Sequence, residues 1–280
     1  MTKGFFTDTT LCIGCKACEV ACKQWNQLPG DGYEFTGMSY DNTVALGSTT
    51  WRHVAFIEQM AGQSNGTSNG ATAIAERVSG HEARSAGFLG ENRWLMMSDV
   101  CKHCANAGCL DACPTGAIIR NEFGDVYVQP DVCNGCGYCQ PACPFGVIEV
   151  SHDDGRAWKC TLCYDRQKDG LEPACAKACP TQSIQFGEIE ELHAQARERV
   201  GMLHARGVTD AYLYGVDEQT SVGPLNAFFL LVDQPEVYNL PETPHLPQAK
   251  IGTKYLATAL AGLALGAATA LTLLGGRRRS

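Results

Sequence analysis

The sequence lacks an excess of positive charge, lacks an apolar run at its start and, for all its sixteen cysteines, has none to spare. Lys and Arg total 22 against 30 Asp and Glu, a formal net charge of −8. A nucleic-acid binder would show the opposite balance, basic on at least one face, so no nucleic-acid partner is expected. From Met1 to Leu11 there is no long apolar stretch. No secretory leader is read there, and with it goes the usual setting for a disulfide framework. The bulk composition is ordinary: 280 residues, 45% hydrophobic and 19% charged, enough for one large or two small domains and a tail.

The cysteines are the unusual feature. They fall into four groups of four: Cys12, Cys15, Cys18 and Cys22; Cys101, Cys104, Cys109 and Cys113; Cys133, Cys136, Cys139 and Cys143; Cys160, Cys163, Cys175 and Cys179. Disulfides between cysteines three apart would strain the short loop between them. Zinc would take Cys-x2-Cys pairs, two pairs to an ion, but does not explain three cysteines at a spacing of three followed by one at a spacing of four. That run, C-x2-C-x2-C-x3-C, is an iron–sulfur ligand pattern. It stands intact at Cys12–Cys22 and at Cys133–Cys143, the latter followed by Pro144.

The spacing suits a cubane cluster. Two-residue spacers wrap one tight loop around a corner of the cube and present three thiolates. The fourth cysteine sits on the following turn and faces away, so in two-cluster ferredoxins it serves the other cluster. Gly14, Gly135 and Gly137 lie in or beside these loops, where positive φ and close backbone approach are wanted, although each also reads as plain loop filler. The second group is C-x2-C-x4-C-x3-C and the fourth C-x2-C-x11-C-x3-C, with insertions only between the second and third ligands. Such insertions enlarge one loop and leave the final step intact. His103, between Cys101 and Cys104, reads as a spacer because sixteen thiolates already complete four clusters.

An internal repeat accompanies the ligands. Cys109-Leu-Asp-Ala-Cys113-Pro-Thr-Gly-Ala-Ile118 matches Cys139-Gln-Pro-Ala-Cys143-Pro-Phe-Gly-Val-Ile148 and Cys175-Ala-Lys-Ala-Cys179-Pro-Thr-Gln-Ser-Ile184. Each copy is a ligand turn, a proline that ends it and a short apolar strand. Modules of this kind bury little apolar surface and lean on metal ligation for stability. The first group departs from the repeat, with Lys23 after Cys22 where the others have proline.

Elsewhere, Thr50–Gln59 reads as a strand and Arg93–Val100 as its partner. Gly62–Gly90, rich in Gly, Ser, Asn and Ala, reads as a surface excursion, and the Asn65-Gly-Thr67 sequon within it as coincidence. Glu188–Arg206 reads as a packing helix with Ile189, Leu192, Ala196, Val200 and Leu203 along one stripe. Pro235–Pro247, with four prolines, reads as an extended linker. Tyr255–Gly276 is 22 residues without a charge, seven Leu and seven Ala. As a helix it spans about 33 Å against about 30 Å of hydrocarbon core, so a C-terminal membrane anchor contacting lipid is expected, with a buried helix as the alternative. Gly262 and Gly266 form a G-x3-G pair that could seat a partner helix or be chance. Arg277, Arg278 and Arg279 place the C-terminus in the cytoplasm and the cluster-bearing body on the far side, exported with a partner; Lys250 and Lys254 on the other flank argue for the reverse, a cytoplasmic body.

The opening Cys12-Ile-Gly-Cys15-Lys-Ala-Cys18-Glu-Val-Ala-Cys22-Lys-Gln-Trp25-Asn26 resembles the iron–sulfur (beta) subunit of respiratory formate dehydrogenases, as do Leu213-Tyr-Gly-Val216 and Pro235-Glu-Val-Tyr238-Asn-Leu-Pro241. The cysteine pattern alone is shared with electron-transfer subunits of other molybdopterin oxidoreductases and some hydrogenases. The resemblance implies that the first group pairs with the last and the middle two with each other. Cys12, Cys15, Cys18 and Cys179 would hold one cluster and Cys160, Cys163, Cys175 and Cys22 its neighbour. Cys101, Cys104, Cys109 and Cys143 would hold a third, and Cys133, Cys136, Cys139 and Cys113 the last. It also implies a catalytic subunit carrying molybdenum or tungsten on a pterin, and a membrane cytochrome b. No histidine lies between Tyr255 and Gly276, so the tail offers no haem ligand, and no catalytic constellation is present.

The expected fold is therefore α+β: two ferredoxin-like modules, each binding two 4Fe-4S clusters, plus a single C-terminal transmembrane helix. Residues 1–49 and 145–187 would form an outer module and 50–144 an inner one, with 62–90 as the excursion. Residues 188–250 would be helix and linker, and 251–280 the anchor. The expected function is a non-catalytic electron wire from a formate dehydrogenase subunit to a cytochrome b and quinone. Alternatives are the same wire in another molybdopterin oxidoreductase or a hydrogenase, or a colourless zinc-stabilised scaffold.

Overall fold

The computed structural model describes residues 1–30, 40–41, 43–59, 93–217 and 219–276. The excursion expected at 62–90 and the Arg277–Arg279 run lie outside the described residues. In chain order the elements are β1 (Lys3–Asp8), α1 (Ala17–Asn26), β2 (Arg52–Gln59), β3 (Arg93–Val100), α2 (Gly108–Asp111), β4 (Ile118–Arg120), β5 (Val126–Val128) and α3 (Cys139–Ala142). There follow β6 (Glu149–Val150), β7 (Ala157–Trp158), α4 (Tyr164–Lys168), α5 (Ala174–Lys177), β8 (Ile184–Glu188), α6 (Ile189–Ala205), β9 (Tyr212–Tyr214), β10 (Ala227–Leu231) and α7 (Ile251–Gly276).

A four-stranded sheet, ordered β8-β1-β10-β9, forms the base. β1 pairs antiparallel with β8, joining the two ends of the cysteine-bearing region, and parallel with β10 in the register Phe5↔Ala227 to Asp8↔Leu230. All five residues of β10 are buried, which is why it reads as an unbroken apolar run, Ala-Phe-Phe-Leu-Leu. Phe6 stacks on Phe228 with centroids 5.3 Å apart. Residues 188–250 are thus more than a helix and linker: they supply β9 and β10 to the main sheet. The two strands lie between the helix and the proline-rich segment, where the composition gives no turn signal strong enough to isolate them.

The helix at 188–206 forms as α6. Leu192, Ala196 and Leu203 are buried against the sheet, with Ile189 and Val200 half-buried beside them. β2 and β3 pair antiparallel from Arg52↔Val100 to Gln59↔Arg93. Each copy of the repeat delivers its strand, β4, β6 and β8, directly after the Cys-Pro turn, and β4–β5 and β6–β7 are small hairpins. The Cys104↔Leu225 bridge and the bond from Ala227 N–H to the Lys102 carbonyl, 3.1 Å, tie this cysteine-rich layer to the main sheet.

The C-terminal expectation is corrected. Ile251–Gly276 is helical, but among the described residues no helix is long and apolar enough to cross a membrane, so the transmembrane helix and the lipid anchor over 251–280 are withdrawn. Absence of charge was the basis of that reading, and absence of charge is not apolarity. Ala, Gly and Thr fill most of Tyr255–Gly276, and each removes far less apolar surface from water than Leu does.

Candidate metal centre

The cysteine loops fold as their glycines require. Gly14, Gly135 and Gly137 have φ of +66°, +72° and +75°. At Gly135 a Cβ would lie 2.1 Å from the Gly155 carbonyl oxygen, so this backbone approach admits no side chain. The first loop leads into α1 through Lys16, itself in the left-handed region, and places Cys18 and Cys22 one turn apart on the helix. The carboxylate of Glu19, on the same helix, accepts the Val54 N–H and fixes α1 against β2.

The sixteen thiols gather in four sets drawn from different parts of the chain. Cys12, Cys15, Cys18 and Cys179 line one cavity, with Ser98 and Thr181. Cys101, Cys104, Cys109 and Cys143 line a second, with Lys102, His103 and Lys159. Cys22 lies within electrostatic reach of Cys175 and Cys163 and of Cys18 in the first set, and Cys160 of Cys22, Cys163 and Cys175 and of Cys101 in the second. Cys139 is in turn placed against Cys133, Cys136 and Cys113. In every set the last cysteine of a run has crossed to the neighbouring loop.

Burial and mutual repulsion make these poor sites for thiols left alone. Burial pushes Cys18 up to about 12, against the partial relief of Arg52, and pushes Cys109 up to about 12. Cys139 and Cys163 rise to about 11, again through burial first and neighbouring cysteines next. Metal coordination is what strips protons from such thiols. A single zinc ion, with Zn–S bonds of about 2.3 Å, would draw its ligands into tight contact. Among the described residues no three His, Cys, Asp or Glu side chains are placed to hold one metal ion. Four cysteines lining one cavity are a donor set for a polynuclear cluster.

Donors complete the lining. Leu162 N–H points at Cys160 Sγ at 3.2 Å and Ala157 N–H at Cys133 Sγ at 3.4 Å. His103 is buried, with Nδ1 accepting the Val126 N–H at 3.1 Å. Its pKa falls well below the usual histidine value through burial and then the nearby Lys159 charge, so the ring is neutral and Nε2 carries the proton. That Nε2 is buried without a partner among the described residues.

Sequence reasoning missed two residues here. Arg52 and Lys159 are both almost wholly buried, and both donate to cysteine sulfurs: Arg52 Nη2 to Cys175 at 3.3 Å and Lys159 Nζ to Cys101 at 3.4 Å. Neither could be picked out by spacing, because a lysine beside a cysteine or an arginine at a strand start is ordinary on a surface. The one available hint is for Arg52, a cation within Thr50–Gln59, which reads as a strand.

Comparison with known proteins places the chain in a family. Two models of the 4Fe-4S dicluster domain match the chain, over residues 11–117 and 92–189. The formate dehydrogenase iron–sulfur subunit of Haemophilus influenzae is 38% identical over 264 residues, 92% of this chain and 75% of its own length. The chain belongs to this iron–sulfur subunit family. The nitrate-inducible formate dehydrogenase iron–sulfur subunit of Escherichia coli is also 38% identical, over 85% of this chain and 72% of its own. One polypeptide of the anaerobic dimethyl sulfoxide reductase of Escherichia coli is 33% identical over 68% of this chain and 75% of its own length. As a member of the iron–sulfur subunit family the chain binds 4Fe-4S clusters and works as an electron-transfer subunit of an oxidoreductase complex.

Proposed function

We propose that the chain is a wire of four 4Fe-4S clusters that takes electrons from a formate-oxidising catalytic subunit bearing molybdenum or tungsten on a pterin, and passes them to a membrane cytochrome b that reduces quinone. Bound clusters supply one-electron transfer; everything else is the arrangement of this chain's ligands. The observation that carries the reading is the convergence of sixteen cysteines into four sets of four, each closed by a cysteine from another run.

Exposure supports one order of the sets. Cys15 and Cys136 are exposed, and each belongs to a set at one end. Cys22, Cys160, Cys163 and Cys175 are all buried, as is Cys101 of the set beside them, and Cys160 feels the charges of both Cys22 and Cys101. The line therefore runs from the Cys12/Cys15/Cys18/Cys179 set, through the Cys22/Cys160/Cys163/Cys175 and Cys101/Cys104/Cys109/Cys143 sets, to the Cys113/Cys133/Cys136/Cys139 set. An exposed ligand in each end set and none in the two middle sets is what a relay between two protein partners needs. Formate as the electron source rests on the two formate dehydrogenase relatives. The dimethyl sulfoxide reductase relative keeps the wire and changes the reaction at its end, which is the second reading.

The test is to purify the complex without oxygen, count iron and acid-labile sulfide, and follow cluster absorbance while adding formate. At least sixteen acid-labile sulfides per chain, a count to which haem adds nothing, with bleaching by formate is the expected result. Bleaching by dithionite but not by formate moves the reaction to the second reading, and a colourless zinc-containing chain overturns the wire.

A further inference from the structure

Lys159 lies at the seam between the two middle cysteine sets. It is 2% exposed, and its ammonium donates to Cys101 Sγ at 3.4 Å, to the Cys160 carbonyl at 3.0 Å and to the Val126 carbonyl. No ion pair with an Asp or Glu joins it among the described residues. A full charge buried on two neutral carbonyls and one sulfur is costly unless something anionic compensates it. Its two cysteine contacts straddle the seam: the Cys101 sulfur belongs to one set, and the Cys160 whose carbonyl it holds is a ligand of the next.

We propose that Lys159 is a fixed positive charge placed for the crossing between modules, raising the reduction potentials of the two clusters held by Cys101, Cys104, Cys109 and Cys143 and by Cys22, Cys160, Cys163 and Cys175. The inference rests on the four-cluster wire. A cluster that accepts an electron gains one negative charge, and an ammonium in a dry, low-dielectric setting favours that reduced state. Because the ammonium touches a ligand of each set, it favours the electron on either side of the seam. The side chain is held rather than mobile: all three of its protons are engaged. Lys159 makes no hydrogen bond to Cys113, Cys133, Cys136 or Cys139, and that end set serves as the internal control. Lys159 is a positioning charge, not a ligand.

The experiment compares the parent complex with Lys159→Gln and Lys159→Arg, each purified without oxygen, by iron analysis and by reductive titration followed in the electron-spin spectrum. The expected result is that Lys159→Gln keeps its iron and two of its clusters reduce at more negative potentials, while the end cluster is unmoved and Lys159→Arg matches the parent. Parental potentials for every cluster in an iron-replete Lys159→Gln complex overturn the proposal. Should Lys159→Gln lose iron, Lys159→Arg decides: parental iron and potentials there sustain the charge, and anything less shows a need for the shape of lysine and overturns it. Failure of the wire itself is seen separately, as a parent complex without clusters.

Discussion

The Arg52 guanidinium lies 3.3 Å from Cys175 Sγ through Nη2, and 3.2 Å from the Ser98 carbonyl through Nη1. The Ser98 hydroxyl is in turn 3.2 Å from Cys18 Sγ. One cation thus links strands β2 and β3 to two neighbouring cysteine sets, with its flat face 4.7 Å from the centre of the Phe5 ring. Arg52→Met keeps the stem and removes the fork, leaving the Ser98 carbonyl and Cys175 without their donor. Unfolding by denaturant under anaerobic conditions is expected to show a loss of about 3 kcal/mol, the scale for breaking a buried charged contact. Arg52→Lys restores the charge but only one point of attachment, and should fall between the two.

Gly135→Ala offers a local test of the loop geometry. A methyl there meets the Gly155 carbonyl oxygen at 2.1 Å in a backbone already at φ +72°, and neither atom can step aside. The loop carrying Cys133 and Cys136 must open. Iron content should drop by about one cluster, by the ligand count, with the other three retained. Gly137→Ala is the control. Its φ is +75°, but the nearest atom to a Cβ is the Gln140 side-chain oxygen at 3.5 Å. Only the left-handed strain of about 1–2 kcal/mol applies, and iron should stay at the parental level.

The ligands, the repeat and the helix at 188–206 were legible because each is written in local spacing. Three turns of Cys-x3-Cys-Pro lead into strands β4, β6 and β8, and the apolar stripe of α6 has its period. The β2–β3 pair was legible from β-branched and aromatic content. Strands β9 and β10 were not: Ala227–Leu231 has no alternation to read, since both its faces are covered. Arg52 and Lys159 were illegible for a different reason. A charged residue is placed inside only by groups far off in sequence, here Cys175, 123 residues from Arg52, and Cys101, 58 from Lys159. The tail reads as a span on its length, its seven Leu and seven Ala and its lack of charge, and none of these says how little apolar surface Ala and Gly carry.

Asp125 should give the chain a measurable acid dependence. It is fully buried, and burial raises its pKa to about 6 despite bonds from Asn121 Nδ2 at 3.1 Å and Gln167 Nε2 at 2.7 Å. Lys159 and Arg120 act on it more weakly and in the opposite direction. A carboxyl with a raised folded pKa binds its proton more tightly folded than unfolded. Its contribution therefore favours folding at low pH and is lost as pH rises from about 4 to about 6, after which it is constant. Asp125→Asn removes this slope. The difference in unfolding midpoint between variant and parent should change across that window and be flat above it. A difference that stays constant from pH 4 to pH 8 would show that Asp125 does not titrate there.

Cys136→Ser separates the two ends of the line. Cys136 is exposed and belongs to the end set with Cys113, Cys133 and Cys139, while the ligands of the set at the middle of the line, Cys22, Cys160, Cys163 and Cys175, are buried. Serine is a harder and less readily ionised ligand than cysteine, so the damage should be confined to one cluster. In the assembled complex, formate oxidation measured with an artificial acceptor at the catalytic subunit should persist, because that reaction does not need this chain. Reduction of quinone by formate should fall to a small residue of the parental rate, because every electron crossing a single file must pass the damaged point. Cys15→Ser, at the other exposed end, should give the same pair of results, since a file is broken equally at either end. Full quinone-linked activity in either variant, with the loss of one cluster shown by iron analysis, would mean that the clusters branch and do not form a line.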